Sequence, residues 1–277
     1  MNRVLVVEGG AMRGIFASGV LDAFLAADYQ PFDAVIGVSA GAANLSGYLA
    51  GKAGRNKTII TEMATQKRFF DPLRFFKGGN LIDVKWLWEC SKETLPINID
   101  DVVNNIPFYV SVTDINNGQS DYYQLDELNI DKLIEATTAL PLVYKDSACL
   151  ANSCFIDGGV ADSIPVIKAY QMGAKEITVI LSKPLGYEMN QQKFPNLIRK
   201  LMPNHKAVAE ALIARHSYYN KTLEFINNPP QDVTIKVISP DERFNVGRFT
   251  RSKSKLEQGY QLGIEQGNKF LNNINGC

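Results

Sequence analysis

The sequence predicts an α/β fold, a three-layer α/β/α arrangement around a mostly parallel central sheet. Three observations carry that expectation. Apolar runs of strand length alternate with segments of helical period along most of the chain. The strand candidates are short and almost wholly apolar, as strands buried on both faces are. Three of them run directly into glycine-rich loops, which is where open parallel sheets place their ligands.

Taken in order, residues 4–7 (VLVV) read as a strand and 15–27 as a helix. Residues 34–38 read as a strand and 40–50 as a helix, and 108–113 is rich in β-formers. A helix is expected over 131–139, a short strand over 154–156, and a helix over 164–172 with Pro165 in its first turn. Strands follow at 177–181 and 233–238, and a packing helix closes the chain at 252–271. The stretch 183–203, rich in Pro, Gln, Asn and Lys, reads as an excursion. With 277 residues and neither repeats nor a low-complexity linker, the chain is expected to form a single domain over 1–277. Its motifs lie within 4–181, and 182–277 completes the domain with a strand and a long helix.

Composition excludes several classes. The formal net charge is +0, so bulk charge gives no reason to expect nucleic acid. Four cysteines (Cys90, Cys149, Cys154 and Cys277) include no C-x-x-C pair, and no histidine lies near Cys149 and Cys154. Zinc is therefore not expected, and buried free thiols in a reducing compartment are. No apolar run reaches the roughly 18 residues of a membrane span, and the N-terminus enters a strand without a signal-type core. A cytoplasmic protein is the expectation, with peripheral membrane contact left open.

The chemistry concentrates in the three loops. Gly37-Val38-Ser39-Ala40-Gly41 lies between a strand and a helix, the context of a nucleophile elbow. Small neighbours let a serine sit in strained backbone with its hydroxyl clear of the sheet, and the Ala40 N–H at the helix start faces a developing oxyanion. The bland alternative is a Gly/Ser turn without chemistry. The first loop, Glu8-Gly9-Gly10-Ala11-Met12-Arg13-Gly14, can present successive N–H groups to an anion. It lacks the second glycine of a dinucleotide fingerprint and the Gly-Lys-Ser/Thr of a P-loop, so an oxyanion hole fits better than a phosphate cradle. Arg13 could brace the loop through a salt bridge or attract an anionic head group.

The third loop, Asp157-Gly158-Gly159, offers a base. The chain has only two histidines, His205 and His216, and Ser39…Asp157…His205 follows the order of an α/β-hydrolase triad. His205 falls in a polar stretch, however, and His216 in a helical one; both read as surface or helix residues. Without histidine, Asp157 takes the proton itself, which a dry pocket would permit by raising its proton affinity.

In this order, Gly9-Gly10-Ala11-Met12-Arg13-Gly14, Gly37-Val38-Ser39-Ala40-Gly41 and Asp157-Gly158-Gly159 resemble the bacterial branch of the patatin-like phospholipases. The small-residue run Ala136-Thr137-Thr138-Ala139-Leu140-Pro141 resembles the stretch before that family's aspartate. The resemblance implies a patatin-like fold and a serine lipid acyl hydrolase, a phospholipase or esterase, that works without metal or other cofactor. It implies Ser39 as nucleophile, Asp157 as base, and Gly9, Gly10, Ala11, Arg13, Gly14 and Ala40 as the oxyanion hole. Gly37, Gly41, Gly158 and Gly159 shape the elbow and the aspartate loop. Ala11 departs from the family, which has a third glycine there; a left-handed backbone at that position would strain an alanine.

The expected partner is a lipid or other acyl ester. Two rivals stand beside hydrolysis: a non-catalytic module binding anionic lipid or phosphate, and an acyltransferase using the same serine. The segment 68–90 holds Phe69, Phe70, Phe75, Phe76, Trp86 and Trp88. It would line or lid an acyl pocket, touch a membrane interface, or simply pack in the core, the last being slightly favoured.

Overall fold

The computed structural model describes residues 1–146, 148–150 and 153–275. Its strands are β1 (Arg3–Val7), β2 (Ala34–Val38), β3 (Phe108–Asp114), β4 (Ser120–Gln124), β5 (Ala148–Leu150), β6 (Ser153–Asp157), β7 (Glu176–Ile180) and β8 (Thr234–Ile238). They form one sheet in the order β5-β6-β3-β2-β1-β7-β8, with β4 also paired to β3. From β3 through β2, β1 and β7 to β8 all pairings are parallel; β4, β6 and β5 are antiparallel.

Alternation along the central strands feeds two separate cores. Leu5, Val7 and Val35 face a core completed by Phe16, Val20, Phe24, Leu45 and Tyr48, from helices Gly14–Ala26 and Ala40–Leu49. Val4, Val6, Ala34 and Ile36 face the other, completed by Val166, Ala169, Tyr219 and Ile226 from helices Val166–Gln171 and Lys206–Asn227. Both faces being covered explains why these strands read as continuous apolar runs. Each large aliphatic or aromatic side chain so buried contributes about 1.5–3 kcal/mol.

Two expectations need correction. The three loops do not all follow parallel strands, because β6 runs antiparallel to β3. Asp157 nonetheless arrives beside Ser39. β3 continues past the end of β2, pairing Val38 with Ser111, and β6 returns along this overhang until Asp157 lies opposite Val112. The cysteines Cys149 and Cys154 are also not buried free thiols. They stand opposite each other on β5 and β6 and form a disulfide, with Cys149 exposed. A spacing tested only against metal templates conceals a cross-strand pair. Cys90 is a half-buried free thiol, and Cys277 lies outside the described residues. No helix among the described residues is long and apolar enough to cross a membrane.

The C-terminal part joins the same layers. β8 extends the sheet beside β7, and helix Lys253–Asn275 packs along helix Gly14–Ala26. The crossing is close because glycine meets glycine: a Cβ on Gly263 would collide with the Phe16 carbonyl and come 3.0 Å from the Gly19 Cα. Leu256, Leu262 and Leu271 are buried alongside. Gly263→Val should therefore lower stability by about 2–3 kcal/mol in equilibrium denaturation, through overpacking; an unchanged midpoint would mean the two helices do not meet in this register.

Candidate active site

Ser39 is held in the backbone expected of an elbow. Its φ of 53° and ψ of −126° lie outside the regions open to most L-residues. The strained turn persists because its neighbours have no side chain to spare. A Cβ on Gly37 would come 2.5 Å from the Ala42 Cα, and one on Gly41 would overlap the Val7 carbonyl oxygen. Thr137 fixes the turn from the adjoining helix Ile130–Thr138: its Oγ1 accepts the Ser39 N–H at 2.9 Å and donates to the Ser111 carbonyl at 2.6 Å.

The Ser39 hydroxyl donates to Asp157 Oδ2 at 2.7 Å, and both residues are buried, at 6% and 2% exposure. The other carboxylate oxygen, Oδ1, accepts the Gly159 N–H at 2.7 Å. Burial pushes the Asp157 carboxyl above the usual aspartate range, opposed by the Ser39 and Gly159 donors and by Arg215 and Arg248 nearby. Neither histidine enters the site. His205 is exposed at the start of helix Lys206–Asn227, and His216 lies within that helix with its ring on the Ile213 carbonyl.

The loop after β1 brings Gly9, Gly10, Ala11 and Gly14 against the elbow. A Cβ on Gly9 would meet Ser39 Cβ at 3.1 Å, and Asn44 Nδ2 ties the Gly14 carbonyl at 2.7 Å. Among the described residues the N–H groups of Gly10 and Ala11 donate to no protein acceptor, and Ala40 opens its helix with an orphan N–H. Arg13 makes no salt bridge among the described residues; its Nε and Nη2 donate to Ser182 Oγ at 3.2 and 3.1 Å, and Ser182 Oγ donates to the Gly9 carbonyl. Glu8, also buried, accepts from the Ser182 N–H at 2.6 Å and from the Tyr219 hydroxyl at 3.1 Å. No group of three or more His, Cys, Asp or Glu side chains among the described residues is placed to hold a metal ion.

Ser39 opens onto an apolar cavity of about 120 Å³. Phe69, Phe70, Ile82, Leu87 and Trp88 line it, so the aromatic segment forms a pocket wall rather than only core. Phe76 is instead exposed at the surface, and Phe75 does not reach the cavity. The contributions of Thr137, Ser182, Arg215 and Arg248 escaped sequence reasoning. Thr137 lay inside a recognised small-residue run, whereas the two arginines belong to the part of the chain without motifs.

Ala11 has φ of 50°, so the position where the family has glycine does take the left-handed region. An alanine there costs about 1–2 kcal/mol, and glycine returns part of that in chain entropy. Ala11→Gly should therefore stabilise the protein by up to about 1 kcal/mol in equilibrium denaturation. A net loss of stability would mean this loop is not left-handed at residue 11.

The family model for patatin-like phospholipases matches residues 5–170, and a model for a domain of unknown function matches 205–277. The chain is 34% identical over 272 residues to a protein of Escherichia coli (strain K12) printed as "Uncharacterized protein YjjU", covering 96% of this chain and 76% of the relative. Among solved structures, VipD from Legionella pneumophila aligns with 98% of this chain and 67% of its own at 14% identity and a TM-score of 0.46. With a match that spans more than half its length and all three loops of the site, the chain belongs to the patatin-like phospholipase family.

Proposed function

We propose that the protein is a serine lipid acyl hydrolase working through a Ser39–Asp157 dyad and an acyl-serine intermediate. The observation that carries this reading is the 2.7 Å hydrogen bond between two buried side chains, at the mouth of an apolar cavity. Ser39 Oγ attacks the ester carbonyl while its proton passes to Asp157 Oδ2. The N–H groups of Gly10, Ala11 and Ala40 hold the tetrahedral oxyanion. The intermediate collapses, and the alcohol leaves with the proton from Asp157. Water then loses a proton to the same carboxylate and attacks the acyl-Ser39; as this second tetrahedral intermediate collapses and the fatty acid leaves, Asp157 returns that proton to Ser39 Oγ, restoring the serine. The raised proton affinity of Asp157 supports its use as a base, since an ordinary exposed aspartate is too weak for the step.

A fluorophosphonate should label Ser39 alone, as located by peptide mass mapping. Ser39→Ala and Asp157→Asn should each lower kcat/KM by at least about 10³-fold, whereas His205→Ala with His216→Ala should keep most activity. No adduct on folded protein would favour a binding module, and collapse of the double histidine variant would favour a triad.

The base must be ionised, so kcat/KM should fall on acidification. Because folding raises the Asp157 pKa, the fall begins at a higher pH than for an exposed aspartate. Arg215 lowers that pKa, so Arg215→Gln should move the acid limb to still higher pH. A limb that stays in place, or moves to lower pH, in a pH–rate profile with a neutral ester would remove Asp157 from the role of base.

A further inference from the structure

A second cavity, of about 240 Å³, has Arg13 of the first glycine loop in its wall, whereas Ala11 and Met12 of the same loop line the apolar one. Arg13, Lys183, Tyr187, Arg215, Tyr219 and Arg248 line it, and Arg248 lines both cavities. Four cations therefore converge beside the dyad, and none forms an ion pair among the described residues. Arg13 donates to Ser182 Oγ, and Arg215 donates to the Gly159 carbonyl and, at 2.8 Å, to Ser163 Oγ. Lys183 stands 4.7 Å over the Tyr187 ring, and among the described residues the Arg248 guanidinium forms no hydrogen bond.

Two carboxylates offset this group only in part: Glu8 acts on Arg13, Lys183 and Arg215, and Asp157 on Arg215, which leaves four cations facing two acids. Glu8 is occupied by the Ser182 N–H and Tyr219 hydroxyl, and Asp157 by Ser39 and Gly159. The cations also act on one another: burial and the neighbouring Arg248 bring Arg215 down to about 10, and burial with Arg13 and Arg248 lowers Lys183. Partly buried like charges in excess of their counter-ions are unfavourable unless a further anion joins them. Planar guanidinium forks suit the oxygens of a phosphate.

We propose that this cavity is a headgroup subsite that takes the phosphate of an amine-free anionic lipid, of phosphatidate type, and disfavours zwitterionic headgroups. The assignment rests on the acyl hydrolase reading. An ester carbonyl at Ser39 would place its acyl chain in the apolar cavity, and Arg248 joins that cavity to the cationic one. A choline or ethanolamine group would bring a further positive charge among four, where the two nearby carboxylates, Glu8 and Asp157, already accept hydrogen bonds and already act on the resident cations. Arg215, Tyr219 and Arg248 all come from 205–277, so this part of the chain would determine headgroup choice rather than only complete the fold.

The test measures binding without turnover, in full-length protein carrying Ser39→Ala. Calorimetric titration below the micelle threshold compares dihexanoyl phosphatidate, dihexanoyl phosphatidylcholine and dihexanoylglycerol. Phosphatidate should bind about tenfold or more tighter than either other lipid. Adding Lys183→Gln or Arg248→Gln should remove most of that preference, with folding checked by thermal melting. Inorganic phosphate should compete with phosphatidate. Equal affinities, or a preference that survives both substitutions, would overturn the subsite. Phosphate binding with no gain of phosphatidate over dihexanoylglycerol would overturn the lipid assignment in favour of free phosphate. None of these readouts needs an active nucleophile, so failure of the hydrolase reading would show separately, as absence of the Ser39 adduct in the unsubstituted protein.

Discussion

The contact between Ser39 and Asp157 constrains most of what surrounds it. The two residues are 118 positions apart and approach from opposite directions, one leaving a parallel strand and the other ending an antiparallel one. For them to meet, β3 must overhang β2, β6 must stop opposite Val112, and the elbow must turn within a single residue. Thr113 Oγ1 anchors the Asp157 carbonyl at 2.9 Å, and the Asp157 N–H binds the Ala139 carbonyl at 3.0 Å. The aspartate is thus fixed through backbone and side chain at once, so a shift of its strand would break several hydrogen bonds, not one. A buried carboxylate with fewer donors would stay protonated; one with more would lose its basicity. Asp157 accepts one hydroxyl and one backbone N–H, with two guanidinium groups farther off, and keeps a raised proton affinity.

Much of the fold was legible because buried strands and glycine loops have local causes. Residues 4–7 and 34–38 are apolar throughout because both faces are covered, and the elbow needs small residues wherever it occurs. The candidate dyad and the oxyanion loop could be named for the same reason. What stayed hidden depends on pairing between distant segments. β4 (Ser120–Gln124) is a polar edge strand with intermediate burial, without the apolar run that marks a central strand. The direction of β6 cannot be read from Cys154-Phe155-Ile156, since parallel and antiparallel strands share the same alternation. The disulfide follows from that direction and was missed with it. Arg215 and Arg248 carry no motif; they matter because helix Lys206–Asn227 and the segment before helix Lys253–Asn275 fold back onto the oxyanion loop.

That return of the C-terminal part links stability to the site. Helix Lys253–Asn275 packs against helix Gly14–Ala26, which begins at the last glycine of the oxyanion loop. The Met12 N–H binds the Arg248 carbonyl at 3.3 Å, so the loop is tied directly to the chain that enters this helix. Tyr219, from the opposite helical layer, reaches Glu8 at the loop's other end. The loop is therefore clamped from both faces of the sheet. This gives a physical reason why residues outside the motif-bearing part should influence the proposed oxyanion hole.

Several features of the site oppose folding. Ser39 and Ala11 both sit at positive φ, Asp157 is buried with its pKa raised, and four cations share one cavity wall. The two positive-φ residues each cost roughly 1–3 kcal/mol in backbone strain, and the buried carboxyl and the clustered cations add electrostatic penalties; none of these is explained by packing alone. They are gathered where two covered cores support the carboxyl ends of β1 and β2, whose residues from Val4 to Val7 and from Ala34 to Val38 are all buried. Strain held by a rigid frame would keep the proposed donors and base in place before any substrate arrives, leaving little reorganisation to the proposed reaction. A looser frame would relax Ser39 toward an ordinary turn and draw water to Asp157, removing the proton affinity on which the proposed chemistry depends.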